Sequence, residues 1–266
     1  NDLQVLPDDV LRAPRLAWVA LAGNPRLVGF GQLSSTLETT MAQIDFSDAV
    51  ALGKGASGSV RSASFKGTPC AVKELLETSS DGAASDELAV HARVAGATPS
   101  TLIETLAIIR KPPAVVMERL TKNARDLAKP PTIIEVTRDR YEDGERYAPA
   151  FAITLLKGLA EALRYLHSKR VAHGDVYGHN TLVLDSTGAA KLGDFGASFY
   201  YGELAPSAQK LIERVEVRAF GVLCAEIATR VVSAAATRDR LLAVADDCIQ
   251  GDAAARPSFE KLVAAL

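Results

Sequence analysis

The sequence is poor in cysteine, tryptophan and methionine, and it lacks any long apolar run. Its three cysteines, Cys70, Cys224 and Cys248, stand far apart and without metal-ligand spacing. Three cannot all pair within one chain. That argues against a disulfide framework and for a reducing compartment in which the thiols act as small apolar residues. No uncharged stretch reaches the roughly 18 apolar residues of a bilayer-crossing helix, so no membrane segment is expected. Charge of one sign is also lacking: 30 Lys plus Arg stand against 32 Asp plus Glu, a formal net charge of −2. That balance gives no reason to expect a nucleic-acid partner. What is present is ordinary globular composition, 48% hydrophobic and 23% charged over 266 residues, enough for one large domain or two small ones. A cytoplasmic location is the resulting expectation.

The chain opens on Asn1 rather than Met and reads as a piece of something longer. Its first 27 residues, "NDLQVLPDDVLRAPRLAWVALAGNPRL", partly repeat themselves. Asn1 and Leu3 recur as Asn24 and Leu27, while Leu16, Val19 and Leu21 fill the spacing L-x-x-L-x-L-x-x-N. The offset between the two asparagines falls in the leucine-rich-repeat range of roughly 20–29 residues. Leucines so spaced would point into a solenoid, and the asparagine would close a turn on backbone groups. One repeat cannot bury a core alone, because such units are stabilised by neighbours. Residues 1–27 therefore read as a leucine-rich-repeat remnant, the other reading being an amphipathic arm. Residues 28–43, rich in Gly, Ser and Thr, read as a linker.

From residue 44 the pattern changes to short alternating runs with glycine turns, which predict antiparallel strands. A helix is expected at about 84–95, with Ser85 as its cap. Two further apolar runs, "TLAIIR" and "AVVMERL", flank the turn Lys111-Pro112-Pro113. Beyond residue 148 the period becomes helical: Phe151, Leu155, Leu159, Leu163 and Leu166 share one face. "RAFGVLCAEIA" is apolar all round and predicts a buried helix. The expected fold class is α+β, with a small β-rich lobe and hinge over 44–120 and a larger helical lobe over 121–266.

The chemistry-bearing residues fall around the cleft this division implies. "GKGASGSV" sets Gly53, Gly55 and Gly58 in a hairpin followed by strand rather than helix. That is a poor dinucleotide fingerprint, but its bare backbone could approach phosphate oxygens closely. Lys73 sits within the apolar "CAVKEL", where a buried lysine needs a partner; Glu87 on the expected helix is the natural one. The other reading is that Lys73 snorkels to the surface. "HGDVYGHN" and "DFG" bring Asp175, Asn180 and Asp194 into one loop-rich stretch, either a metal-phosphate site or three turn residues.

Taken in order, these motifs resemble the eukaryotic-type protein kinases of the tyrosine-kinase-like/Ser-Thr group, over about residues 45–266. "GKGASGSV" is similar to the glycine loop, "AVK" to the strand-three lysine motif, and Glu87 to the helix-C glutamate. "VMERL" is similar to gatekeeper and hinge, "HGDVYGHN" to the catalytic loop, "FGVL" to the central helix and "RPSFEKLV" to the closing helix. The resemblance implies ATP and Mg²⁺ as cofactors and a protein hydroxyl, Ser or Thr, as acceptor, with upstream repeats recruiting partners. It implies that Asp175 accepts or orients the hydroxyl proton and that Asn180 and Asp194 hold Mg²⁺. Lys73, held by Glu87, would contact the α- and β-phosphates. Leu52, Val60, Ala71 and Leu182 would enclose the adenine beside Gly53, Gly55 and Gly58. Met117 would be the gatekeeper, and the Glu118 carbonyl and Leu120 amide would supply the hinge hydrogen bonds.

The chain departs from the family in specific places. Gly174 stands where an arginine usually precedes the catalytic aspartate and pairs with an activation-segment phosphate. The segment from Asp194 to Glu216 is short, no clear A-P-E is present, and Arg256 is expected to lack its usual glutamate. Tyr177 and His179 occupy positions where serine/threonine and tyrosine kinases carry distinguishing basic residues. The spelling H-G-D…N also resembles small-molecule phosphotransferases. Two alternatives therefore stand beside an active kinase: a nucleotide-binding pseudokinase scaffold and a small-molecule phosphotransferase. His91 and His173 read as core histidines. The charged run "RDRYEDGER", residues 138–146, reads as a solvated loop.

Overall fold

The computed structural model describes residues 3, 5–24, 37–79, 82–96 and 98–266. Asn1, Leu27 and most of the expected linker lie outside the described residues. The first helix is one short turn, α1 (Asp8–Leu11). A six-stranded antiparallel sheet follows, built from β1 (Ile44–Asp45), β2 (Ala51–Gly55), β3 (Gly58–Phe65), β4 (Thr68–Leu75), β5 (Thr105–Arg110) and β6 (Pro113–Glu118). The main path runs β1-β3-β4-β6-β5, with β2 paired to β3. β4 is central, and its register sets Lys73 opposite Val60 on one side and Val115 on the other. Cys70 and Val72 bury one face of β4 with Ile109, Ala114 and Val116, which explains a free thiol in an apolar strand.

Part of the expected linker belongs to this lobe. Glu38 bridges Ile108, the Thr39 amide donates to the Ile108 carbonyl, and Glu38 pairs with Arg110 at 2.7 Å. The edge of β5 offers unpaired backbone groups, and residues 38 and 39 satisfy them. Helix α2 (Ala84–Val94) packs on β5 and β6. Its N-cap is Ala83, and Ser85 lies inside the helix rather than capping it. The chain enters through a Thr78–Ala83 bridge, and the Ala84 amide donates to the Glu77 carbonyl, so backbone takes the place of a capping side chain.

The larger lobe is built on α3 (Pro149–Ser168). Phe151, Leu155, Leu159, Leu163 and Leu166 are all buried, as the helical period requires. Short strands β7 (Arg125–Asp126), β8 (Val171–Ala172), β9 (Thr181–Val183), β10 (Ala190–Leu192) and β11 (Phe199–Tyr200) surround its end. The pairs β9–β10 and β8–β11 hold the two acidic loops beside each other. Helix α4 (Pro206–Ala228) is buried over Val217, Phe220, Leu223, Cys224 and Ile227; it packs on α5 (Ala235–Cys248), and α6 (Phe259–Ala265) closes the lobe against α3. Ser258 caps α6 by accepting the Lys261 amide.

Residues 5–24 do not stand apart. Leu11 and Leu21 are buried with Phe199, Tyr201, Leu211, Ile212 and Val215. Asn24 donates to the Leu21 carbonyl at 3.0 Å and accepts the Leu3 amide at 2.9 Å. Arg256, 2% exposed, donates to the carbonyls of Gln250, Arg214 and Pro14. A cage of backbone oxygens, one of them from the N-terminal segment, replaces the glutamate it was expected to lack.

Candidate active site

The two lobes enclose a cleft of about 400 Å³. Leu52, Gly53, Val60, Ala71, Lys73, Met117, Glu118, Leu120 and Leu182 all line it, together with Glu87 and Asp194. Its mouth is the segment joining β6 to the large lobe, where the Leu120 amide has no protein partner among the described residues. The three loop glycines divide in role. Gly53 lines the cleft, and an added Cβ at Gly53 or Gly55 would meet nothing within 4 Å. At Gly58 a Cβ would fall 2.0 Å from the Glu74 carbonyl oxygen, so that glycine serves the close approach of β3 to β4. Gly55 and Gly58 are not among the residues lining the cleft.

At the back of the cleft, Lys73 Nζ lies 2.8 Å from Glu87 Oε1 and 2.8 Å from Asp194 Oδ1. Lys73 and Glu87 are buried, whereas half of the Asp194 side chain is exposed to the cleft. Burial works to lower the Lys73 pKa, but the two carboxylates outweigh it and hold the ammonium above its ordinary range. Burial works to raise that of Asp194, yet Lys73 and the Gly196 amide hold it below the usual carboxylate range. Asp194 itself adopts a left-handed backbone, φ 58°. The loop between β2 and β3 folds down onto the turn that follows: a Cβ on Gly196 would lie 3.3 Å from Ser57 Oγ.

Asp175 and Asn180 form the second half of the site. The Asn180 amide nitrogen donates to the Asp175 backbone carbonyl at 2.9 Å and to its Oδ2 at 2.8 Å. A histidine–aromatic column stands behind them. Phe195 meets His91 and His173 edge-on, at 4.9 and 5.7 Å between ring centroids. Both histidines are buried, and His173 pairs with the Gly193 carbonyl at 2.9 Å. They act as packed scaffold, as read from the sequence.

Gly174 has a geometric reason for replacing arginine. Its φ is +80°, its amide donates to Glu216 Oε1 at 2.9 Å, and an added Cβ would meet the Ala197 carbonyl oxygen at 2.5 Å. Glu216 is buried on α4, where it also pairs with His167 at 2.7 Å. Burial works to raise its pKa; His167, His173 and the Gly174 amide together bring it below the ordinary value.

Two contacts were not legible in the sequence. Asp139, inside the charged run expected to be solvated, is buried: it accepts the His179 amide at 3.1 Å and pairs with His179 Nδ1 at 2.8 Å. Trp18 stacks on Tyr177 at 4.5 Å between centroids and donates to the Val176 carbonyl at 3.1 Å. Trp18 is the single tryptophan of the sequence, which was the one available signal.

The family described as protein kinase domain matches residues 46–212. The chain belongs to the protein kinase family. It is 28% identical over 169 residues to the serine/threonine-protein kinase VIK of Arabidopsis thaliana, covering 60% of this chain and 36% of that protein. It is 37% identical over 90 residues to Aurora kinase A-B of Xenopus laevis, covering 27% of this chain and 21% of that protein. The chain thus spans about a third or less of the length of these relatives. The kinase domain has the two-lobed fold expected of it, and among the described residues no helix is long and apolar enough to cross a membrane.

Proposed function

We propose that this chain is an active kinase domain that uses ATP and Mg²⁺ and transfers the γ-phosphoryl group to a serine or threonine hydroxyl of a protein. The observation that carries this reading is the bifurcated pairing of Lys73 with Glu87 and Asp194 inside the cleft. Buried charges are costly unless paired, so the arrangement fixes a cation where phosphate oxygens can replace part of its coordination. The printed name of the Arabidopsis relative favours serine or threonine as acceptor.

The donor set fits Mg²⁺. Asp194 Oδ1 is used by Lys73 and the Gly196 amide, whereas Oδ2 has no protein partner among the described residues. Asn180 uses its nitrogen on Asp175, leaving its carbonyl oxygen as the second hard ligand. Bound there, Mg²⁺ would neutralise phosphate charge. Lys73 orients the α- and β-phosphates, Glu87 holds Lys73, and the apolar walls Leu52, Val60, Ala71 and Leu182 enclose the adenine. The Glu118 carbonyl and the free Leu120 amide take its hydrogen-bonding edge. Asp175 offers Oδ1, which carries no protein hydrogen bond among the described residues, to the acceptor hydroxyl; Asn180 fixes Oδ2. The proton moves to that oxygen as the hydroxyl attacks the γ-phosphorus and the bond to the β,γ-bridging oxygen breaks, releasing ADP; positioning supplies most of the acceleration.

Residues 1–27 are proposed to be the last unit of a leucine-rich-repeat array that recruits a protein partner, in a cytoplasmic protein. The turn closed by Asn24 supports the repeat reading. Incubation with labelled ATP, Mg²⁺, a generic protein substrate and a panel of sugars and amines tests the function. Label on protein serine or threonine supports it. Label on a small molecule, or on nothing, overturns it.

A further inference from the structure

Helix α2 carries Glu87 in its first turn, so the ion pair with Lys73 depends on where that end of the helix sits. The two ends are held differently. At the C-terminal end, the Tyr165 hydroxyl donates to the Val94 carbonyl at 2.9 Å, and the Arg93 guanidinium lies 3.6 Å over the Tyr200 ring. Both ties lead into the large lobe. At the N-terminal end, Asp86 ties the helix to the N-terminal segment: among the described residues its Oδ2 accepts the Gly23 amide at 2.5 Å. Beside it, Ala22 packs so closely on Gly82 that an added Cβ there would lie 2.7 Å from the Ala22 Cβ.

Gly23 is itself well anchored. Two residues earlier, Leu21 is buried against α4 residues and Tyr201. Trp18 is bonded to Val176 and stacked on Tyr177 in the catalytic loop, and the Pro14 carbonyl accepts from Arg256. One continuous segment therefore runs from the large lobe, past the catalytic loop, to the end of α2 that bears Glu87.

We propose that Asp86 is a positioning residue: through the Gly23 amide, the N-terminal segment holds α2 so that Glu87 engages Lys73. This rests on the kinase reading given above. The lever is long enough to matter. At 1.5 Å per residue Glu87 lies about 10 Å along the axis from Val94, so a tilt of about 20° about the C-terminal ties displaces it by about 3–4 Å. That exceeds the slack in a 2.8 Å contact. Asp86 is 5% exposed, and its Oδ1 has no hydrogen-bond partner among the described residues. A buried carboxylate with one oxygen unmatched is a poor stabiliser of the fold, which points to position as its contribution.

The test compares phosphoryl transfer to a generic protein substrate by wild type, Asp86→Ala, Asp86→Asn, Glu87→Gln and the double variant Asp86→Ala/Glu87→Gln. Asp86→Ala is expected to lower kcat at least fivefold while the KM for the protein acceptor stays within twofold. Asp86→Asn keeps an oxygen for the Gly23 amide and is expected to stay within twofold of wild type. Because Asp86 acts through Glu87, the double variant is expected to be no slower than Glu87→Gln alone. Leu21→Ala, which loosens the anchor without touching α2, is expected to give the same drop, and Leu21→Ala/Glu87→Gln to be no slower than Glu87→Gln alone, with circular dichroism reporting the fold of each variant. An active wild type with Asp86→Ala and Leu21→Ala unchanged, or with losses that multiply in either double variant, overturns the inference and leaves the kinase reading intact. Absence of transfer by the wild type overturns the reading and the inference with it.

Discussion

Replacing Gly174 by alanine probes why this chain departs from its family beside Asp175. The backbone there has φ +80°, a region where an L side chain costs about 1–2 kcal/mol. The new Cβ would stand 2.5 Å from the Ala197 carbonyl oxygen, 3.2 Å from its carbon and 3.3 Å from the Val19 carbonyl oxygen. These are backbone atoms in packed segments and cannot swing aside like the end of a flexible side chain; overpacking of this kind costs about 1–3 kcal/mol. The sum is about 2–5 kcal/mol. At about 2–4 °C per kcal/mol for a domain of this size, Gly174→Ala should lower Tm by about 4–20 °C. Turnover should fall as well, since any relief moves the neighbouring Asp175. Arginine carries the same Cβ, so Gly174→Arg should be no better and should not install a phosphate switch. Thermal unfolding followed by circular dichroism, with initial rates measured in parallel, checks both. A Gly174→Ala protein with Tm within about 1 °C of wild type and full turnover would refute the steric reasoning.

Asp175→Asn should reduce turnover by about 10²–10⁴-fold, the usual contribution of general acid–base catalysis. ATP affinity measured by calorimetry should stay unchanged, and joint loss of both would remove Asp175 from its role. Basal activity should not depend on phosphorylation of the segment after Asp194. Ser198 and Tyr201 are fully buried and bonded to His173 and Glu213, Tyr200 lies under Arg93, and Ser207 is exposed. Arg214 and Arg218, the nearest replacements for the missing arginine, are engaged by the carbonyls of Pro257 and Ile249. A tenfold drop in initial rate after phosphatase treatment, about 1.4 kcal/mol in barrier, would contradict this. Finally, the Glu216 pKa is depressed in the folded protein, so its stabilisation is complete above the ordinary glutamate value of about 4.3 and is lost as pH falls through the lower folded value. Urea midpoints should show Glu216→Gln less stable at pH 7, with the gap to wild type closing below about pH 4; a constant gap would count against the assignment.

The order of short motifs made the cleft legible, because each side chain in it is constrained by chemistry at a fixed place in the chain. Lys73 and Glu87 were readable as a pair since a lysine in an apolar strand requires a counter-charge. The face of α3 was readable from its period. Asp139 was not: nothing in "RDRYEDGER" distinguishes an aspartate turned toward His179 from solvated neighbours such as Asp143. Leucine spacing likewise showed that Leu21 belongs to a buried face without showing that α4 and Tyr201 cover it. The cap of α2 escaped because a backbone bridge, Thr78–Ala83, performs the task that Ser85 was expected to perform. Gly58 read as a phosphate-approaching glycine, and the structure adds a packing requirement the sequence did not show, set by a single carbonyl on the neighbouring strand.

The central claim is that Lys73, held between Glu87 and Asp194, makes this cleft a phosphoryl-transfer site acting on protein hydroxyls. It is tested most directly by following the label from [γ-³²P]ATP into a generic protein substrate with wild type, Lys73→Ala and Asp194→Asn in parallel, at saturating ATP and Mg²⁺. The account predicts label on serine or threonine with wild type and near-complete loss with either variant. Turnover retained by Lys73→Ala or Asp194→Asn would contradict it.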